Sequence, residues 1–375
     1  MRPRARRNAI AALSGVLAVA GIGSAAQPGA TREAATIPPE ELRNYPPILV
    51  RWGEAQHATH TATGDVYVAQ PGGSGVRRLL SWPDRIRDRQ VYGARAAAWS
   101  PNRRQVGLLL GWWCGDPCFT LARVAAAGGR VKRLTVPADV LDAVWSSDWR
   151  ALVTTFNGRD LWTIPMSGGK AVRIWRSPGG STTGADWSPN ARQIVVSTAR
   201  GLVKMTSTGK QVVRLTRGGT DVAPQWSPSG REILFERQPR CFEEPDCSEP
   251  THLYVIGSDG RKLRRIASAD FLVSFLWSRD GKTIAFATDR STESVTRRDI
   301  EIVGADGRGR RTLSSGAADD LTTWSRDGRK ILFVREQTRA QGGGSDLWVM
   351  DADGRRPTRL LSRPGWTVLS ADWGS

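Results

Sequence analysis

Histidine is almost missing: the chain has three, His57, His60 and His252, in 375 residues. That leaves little material for a histidine-based triad or a multi-histidine metal centre. His57 and His60 form a HATH segment, but spacing ties no carboxylate to them. No GxSxG elbow is present, so a serine hydrolase of that type is excluded. No Gly-rich phosphate loop follows a strand and opens a helix. The SRDG turns have adjacent Asp and Gly, unlike the SxDxGxTW box of sialidase-like propellers. RRM, zinc-finger and helix-turn-helix patterns are absent, so no specific nucleic-acid partner is expected. The sequence implies no catalytic residue, cofactor or metal.

Cysteine is also scarce. The four residues form two close pairs, Cys114/Cys118 and Cys241/Cys247, inside GWWCGDPCFT and RQPRCFEEPDCSEP. Zinc is the rival to disulfides, but the spacing is not CxxC and no His lies near the first pair. In an exported protein two local disulfides are the expectation. Acidic residues are outnumbered, 36 against 54 Lys and Arg, for a net charge of +18. A basic surface binds polyanions in a salt-dependent way. An anionic envelope polymer is the natural electrostatic partner.

Tryptophan is abundant and periodic. Trp99, Trp145, Trp187, Trp226, Trp277, Trp324 and Trp373 stand 39 to 51 residues apart. That period suits one four-stranded propeller blade per repeat. Six copies read WSPNRRQV, WSSDWRAL, WSPNARQI, WSPSGREI, WSRDGKTI and WSRDGRKI. Each puts an aliphatic residue seven places after the Trp, across a Pro, Asn, Asp or Gly turn. Alternation resumes after the turn, as in Ile331-Leu332-Phe333-Val334, which predicts strand, tight turn, strand. A second unit occurs seven times, beginning at Val66, Leu121, Leu161, Leu202, Leu253, Ile300 and Leu347. A Gly always follows at seven places and an aliphatic residue at thirteen, which predicts a second hairpin with Gly at its turn. One place before that aliphatic residue stand Arg78, Arg133, Arg173, Arg214, Arg265 and Arg359, with Thr312 as the exception. Alternation turns this position away from the core on the outermost strand, where charge guards a sheet edge.

The two ends complement each other. VLSADWGS is a first strand with no second one after it. Ile48-Leu49-Val50-Arg51 is a second strand with no Trp strand before it. The expected fold is therefore an all-β, seven-bladed β-propeller of four-stranded blades. The strand Val368–Trp373 should join the N-terminal blade and close the ring. Residues 1–26 read as a secretion signal: Arg2, Arg4, Arg6 and Arg7, the apolar stretch Ala9–Ala20, then Ser24-Ala25-Ala26. The apolar stretch is short and Gly-interrupted, so no membrane span is expected after signal removal. Residues 27–47 read as a flexible leader and 48–375 as the propeller. The chain is expected to be exported to the periplasm, cell envelope or medium, and to be a monomer.

Loop lengths separate the two faces of the ring. Both hairpin turns keep fixed spacing and share one end of the blades. The other connections vary: from second to third strand, the spacing runs from 8 (Ile194 to Leu202) to 20 (Ile233 to Leu253). Insertions gathered on one face often mark a binding face. Both cysteine loops and SWPDRIRDRQVYG lie there. Candidate contact residues are Trp82, Tyr92, Trp112, Trp113, Arg240 and Phe242, since aromatics and Arg often anchor interfaces. The same face carries Asp139, Asp142, Asp186, Asp221, Asp270, Asp319 and Asp320. These acids either ring the channel mouth, to hold a cation or basic peptide, or cap loops.

The motif WSPxG or WSRDG plus an aliphatic strand, followed by DLWVMDADGRRPTRLL, resembles the WD40-like repeats of TolB-type propellers. The resemblance covers essentially residues 48–373. It implies a periplasmic or secreted β-propeller acting as a protein-interaction scaffold. The chain departs from the TolB type in having seven repeats rather than six, and a short leader where that type carries an α/β domain. Similar repeats occur in tricorn-like and prolyl-oligopeptidase-like peptidases, whose catalytic domain is missing here. The residues that carry over, such as Trp324, Asp327 and Gly328, are structural. The leading expectation is a non-enzymatic scaffold that binds a protein or envelope polymer on the loop-rich face. The alternative is a propeller enzyme (a lactonase, lyase or glycan-acting enzyme) working at the channel mouth.

Overall fold

The second strand of each repeat is apolar on both sides. In Lys330–Glu336 the central residues Ile331, Leu332 and Phe333 are completely buried. Such a strand must be covered on both faces, and stacking sheets around a ring does this. A computed structural model describes residues 36–54, 64–80, 84–86, 89–113, 117–136, 140–155, 158–178, 180, 182–218, 220–242, 247, 249–291, 296–338 and 343–373. It forms seven antiparallel sheets in a ring. A typical blade contains Asp319–Trp324, Lys330–Glu336, Ser345–Asp351 and Thr358–Leu361, paired in that order. The Trp-bearing first strands lie innermost, with Thr182–Trp187 touching Asp221–Trp226 and Asp319–Trp324 touching Trp366–Asp372.

Ring closure follows the reading of the two ends. Trp366–Asp372 pairs antiparallel with Ile48–Glu54, from Leu49 opposite Asp372 to Glu54 opposite Trp366. The closing strand begins two residues earlier than the pattern suggested. Hydrophobic cores fill the gaps between blades, and alternation assigns each residue to one gap. Ile331 and Phe333 pack with Ala285, Ala287 and Ile300 of the preceding blade. Leu332 and Val334 face Ile48, Val50 and Val368 of the closing blade.

The turns are made as their residues require. The Ser after six of the seven repeat Trp residues accepts the backbone N–H four or five residues on, as from Gln105 to Ser100 and from Lys330 to Ser325, both at 2.9 Å. Its hydroxyl in turn donates to the turn Asn or Asp, as to Asn102 and Asp280. The second turn needs glycine. Gly209 has φ +77°, and a Cβ there would stand 1.8 Å from the Ile174 carbonyl oxygen of the preceding blade. The repeating Arg78, Arg173 and Arg359 are exposed on outermost strands, as alternation implied.

Two features differ from the sequence reading. Residues 36–47, expected as part of a flexible leader, pack across the fixed-turn face. Ile37 and Leu42 are buried there, and Tyr45 stacks on Trp373 at 5.2 Å. Glu41, on the short helix Pro39–Leu42, joins Arg356 (2.7 Å), Lys330 and Asp351 in an ion network. One blade also has a fifth strand. Asp84–Ile86, read as loop, pairs with Arg89–Trp99; its other neighbour Gln105–Trp113, and Pro117–Ala125 beyond that, are elongated too. Among the described residues no helix is long and apolar enough to cross a membrane.

Candidate functional site

The loop-rich face takes its definition from the connections that vary. Residues 238–250 join the second and third strands of one blade, and the bond between Cys241 and Cys247 closes this loop on itself. The tightened loop carries Phe242 onto Phe271, in the connection to the next blade; their rings stack at 5.8 Å. Phe271 stays 37 % exposed, and the neighbouring Arg240 is exposed. Sequence reasoning picked Arg240 and Phe242 but missed Phe271. FLVSFLW reads as strand, so nothing local marked its first aromatic as surface.

The other candidates are placed unevenly. Trp82, Cys114, His57, His60 and Asp139 lie outside the described residues. Tyr92 belongs to the long first strand of the five-stranded blade. Trp112 and Trp113, expected in a loop, end a β-strand, with Trp112 opposite both Val91 and Cys118. The side chains of Tyr92, Trp112, Trp113 and Cys118 lie outside what is described. The backbone there keeps Gln105–Trp113 and Pro117–Ala125 paired as far as Trp113 opposite Pro117.

Asp319 and Asp320 are adjacent in sequence and differ in surroundings. Asp319 is completely buried and receives two bonds from Arg335, at 2.7 and 2.6 Å. It also accepts from the hydroxyl of Ser314, at the end of the preceding blade. Asp221 repeats the motif with Arg237 (2.6 and 2.9 Å) and Thr216. Both Asp residues pin an inner strand to the outer strand of the blade before it. The guanidiniums sit over aromatic rings, Arg335 over Trp348 at 4.8 Å and Arg237 over Tyr254 at 4.7 Å. These acids are therefore committed to structure. Asp320 instead meets Arg298 at 2.7 Å, and Arg298 also pairs with Glu336 at 2.9 Å. Burial raises the Asp320 carboxyl to about 6, against the pull of Arg298.

Other carboxyls are displaced in the same direction. Burial raises Asp186 and Glu236 to about 7 each, and Asp142 also lies above its ordinary value. Asp186 accepts from the backbone N–H of Trp187 (2.9 Å) and of Trp226 in the next blade (2.7 Å). Burial and nearby Arg265 lower His252, which bonds Ser268 at 2.9 Å. Among the described residues no three His, Cys, Asp or Glu side chains gather closely enough to hold a metal ion. On the opposite face a cavity of about 1100 Å³ opens between Tyr45, Arg103, Arg326 and Asp353, under the packed N-terminal segment.

No family model matches the chain, and no curated protein matches it. Solved structures do. An oligogalacturonate lyase in complex with manganese superposes with a TM-score of 0.56 at 13 % identity, covering 84 % of each chain. The tricorn protease gives 0.55 at 12 %, covering 81 % of this chain and 33 % of its own. A putative TolB from Agrobacterium tumefaciens gives 0.47 at 17 %, covering 72 % and 89 %. The chain is a seven-bladed β-propeller. At such identities the likeness is one of fold, and the same fold serves many unrelated activities.

Proposed function

We propose that this protein is an exported, non-enzymatic propeller scaffold that binds a protein or envelope polymer through its loop-rich face. The observation that carries this reading is the Phe242–Phe271 stack beside Arg240, held in a loop tightened by the Cys241–Cys247 bond. A rigid, partly exposed aromatic pair next to Arg is the composition of an interface anchor. The disulfide fits an oxidising compartment. The buried acids support the reading too, because Asp221 and Asp319 serve the blade joints rather than a ligand.

The test is affinity capture of the mature chain from native envelope extract, compared with F242A/F271A. A component that survives high salt on the wild type and is lost from the variant supports the assignment. Equal retention by the variant would show that the face is wrong. A second reading has one specific observation behind it: Glu236 and Asp186, raised to about 7, are tuned for proton transfer near neutral pH. The oligogalacturonate lyase shows that a propeller can host a lyase. Turnover of an acidic glycan or lactone, abolished in Glu236→Gln with folding intact, would favour that reading.

A further inference from the structure

The fixed-turn face repeats a charge pattern that the strand alternation does not require. Five residues after the repeat Trp stands a basic residue in all six copies: Arg104, Arg150, Arg192, Arg231, Lys282 and Arg329. One or two residues after the Gly of the second turn stand Arg130, Lys170, Lys210, Arg261, Arg308 and Arg355. The backbone holds the two sets side by side. In five blades an N–H of the second turn donates to the carbonyl of the first basic residue at 2.8 Å, as from Ser207 to Arg192 and from Ala305 to Lys282. Six of the seven blades thus present a pair of cations at the same end.

The acids in these turns form salt bridges with few of them. Asp259, Asp280, Asp306 and Asp327 each accept the backbone N–H of the basic residue two places on, at 2.9 to 3.0 Å. Their carboxylates stay down in the turn while the cationic side chains extend. Only Arg150 and Arg355 pair with a turn Asp, at 2.8 and 3.6 Å. The other ten make no salt bridge among the described residues and are exposed. Deeper arginines such as Arg237, Arg298 and Arg335 are all paired. The connections on the opposite face hold acids and bases in balance, and residues 237–251 hold four acids against two arginines. The disc is therefore electrically polar.

Apolar residues accompany the cations. Val76, Val172, Val212, Val213 and Leu263 are 43–52 % exposed, and each follows a second-turn Gly by three or four residues. They stand where the outermost strands begin, at the rim of the basic face. A hydrophilic polyanion has no use for exposed Val and Leu. A bilayer surface has a use for both kinds of side chain: cations meet headgroup phosphates, and aliphatic groups enter the interface. Arginine, which predominates here, grips phosphate bidentately.

We propose that the fixed-turn face seats the propeller on an anionic lipid bilayer, leaving the loop-rich face toward the aqueous side. This inference stands apart from the scaffold reading, since it uses the other face. The test is co-sedimentation of the mature full-length chain with vesicles of phosphatidylcholine alone, and of phosphatidylcholine mixed with phosphatidylglycerol. Binding to the mixed vesicles alone is expected. R192E/R231E/K282E should weaken it by about a hundredfold or more, at about fivefold for each cation lost. V172S/V212S/L263S should weaken it too and leave a remainder that salt abolishes. Circular dichroism melting confirms that each variant folds, and both should keep the partner capture of the wild type. Failure of the wild type to sediment with anionic vesicles would overturn the proposal. So would vesicle binding that the aliphatic variant leaves unchanged and heparin competes away, which would assign the face to a soluble polyanion.

Discussion

Replacing Asp319 by Ala separates a structural acid from a ligand-binding one. In the wild type its carboxylate is completely buried and meets Arg335 at 2.6 and 2.7 Å, with the Ser314 hydroxyl as third partner. The substitution strands the guanidinium of Arg335 and the hydroxyl of Ser314. Losing one partner of a buried ion pair costs about 3–5 kcal/mol. Arg335 is 27 % exposed and lies on Trp348, so part of its charge turns to water. The expected loss is therefore about 2–4 kcal/mol. Chemical denaturation followed by tryptophan fluorescence measures it, because the Trp residues report every blade joint. D319A/R335M should recover part of the loss by removing the stranded charge. The reasoning is refuted if D319A unfolds at the wild-type denaturant concentration while partner capture disappears. Asp319 would then be a contact residue rather than a clamp between blades.

Three further outcomes follow from the same geometry. Gly209→Ala combines positive φ with a Cβ 1.8 Å from the Ile174 carbonyl, so its thermal midpoint should fall with a loss of at least about 2 kcal/mol. Glu236 has a carboxyl raised from 4.5 to about 7, so the folded state holds its proton more tightly than the unfolded chain. Its contribution is complete below about 4.5 and is lost as pH rises toward 7; Glu236→Gln should flatten melting temperature across that window and stabilise the fold at pH 8. Trp373, 1 % exposed directly after the closing strand and stacked on Tyr45, should cost about 3–5 kcal/mol on replacement by Ala, read by denaturant midpoint. An effect near zero would mean that the closing strand does not bear on the core.

Much of the architecture was legible because repetition multiplies weak signals. One WSRDG is an ordinary turn, but six of them in step define blades. Closure was legible for the same reason, each end of the chain lacking the strand that the other supplies. The packed segment 36–47 was not legible. Ile37 and Leu42 acquire a hydrophobic site only once turns from distant repeats stand together, and Glu41 finds Arg356 across 315 residues. The elongated strands around Trp112 and the added strand Asp84–Ile86 were hidden by a segment whose residues read as loop. Phe271 was missed because its partner Phe242 lies on another blade.

The candidate acids show where the boundary falls. Sequence placed Asp319 and Asp320 together at one end of an inner strand, and that holds. It could not assign their roles, because both reach into the preceding blade, and which of its side chains each meets is set by the packing between blades. Asp319 turns to Arg335 and Ser314, while Asp320 turns to Arg298. By itself, sequence determined the blade number, the turn chemistry, the ring closure and the basic residues at the turns, since each depends on φ, period or composition. Only the tertiary structure decided which charges are neutralised and which stay free. Ion pairing and burial depend on distances between blades, and no local pattern encodes those.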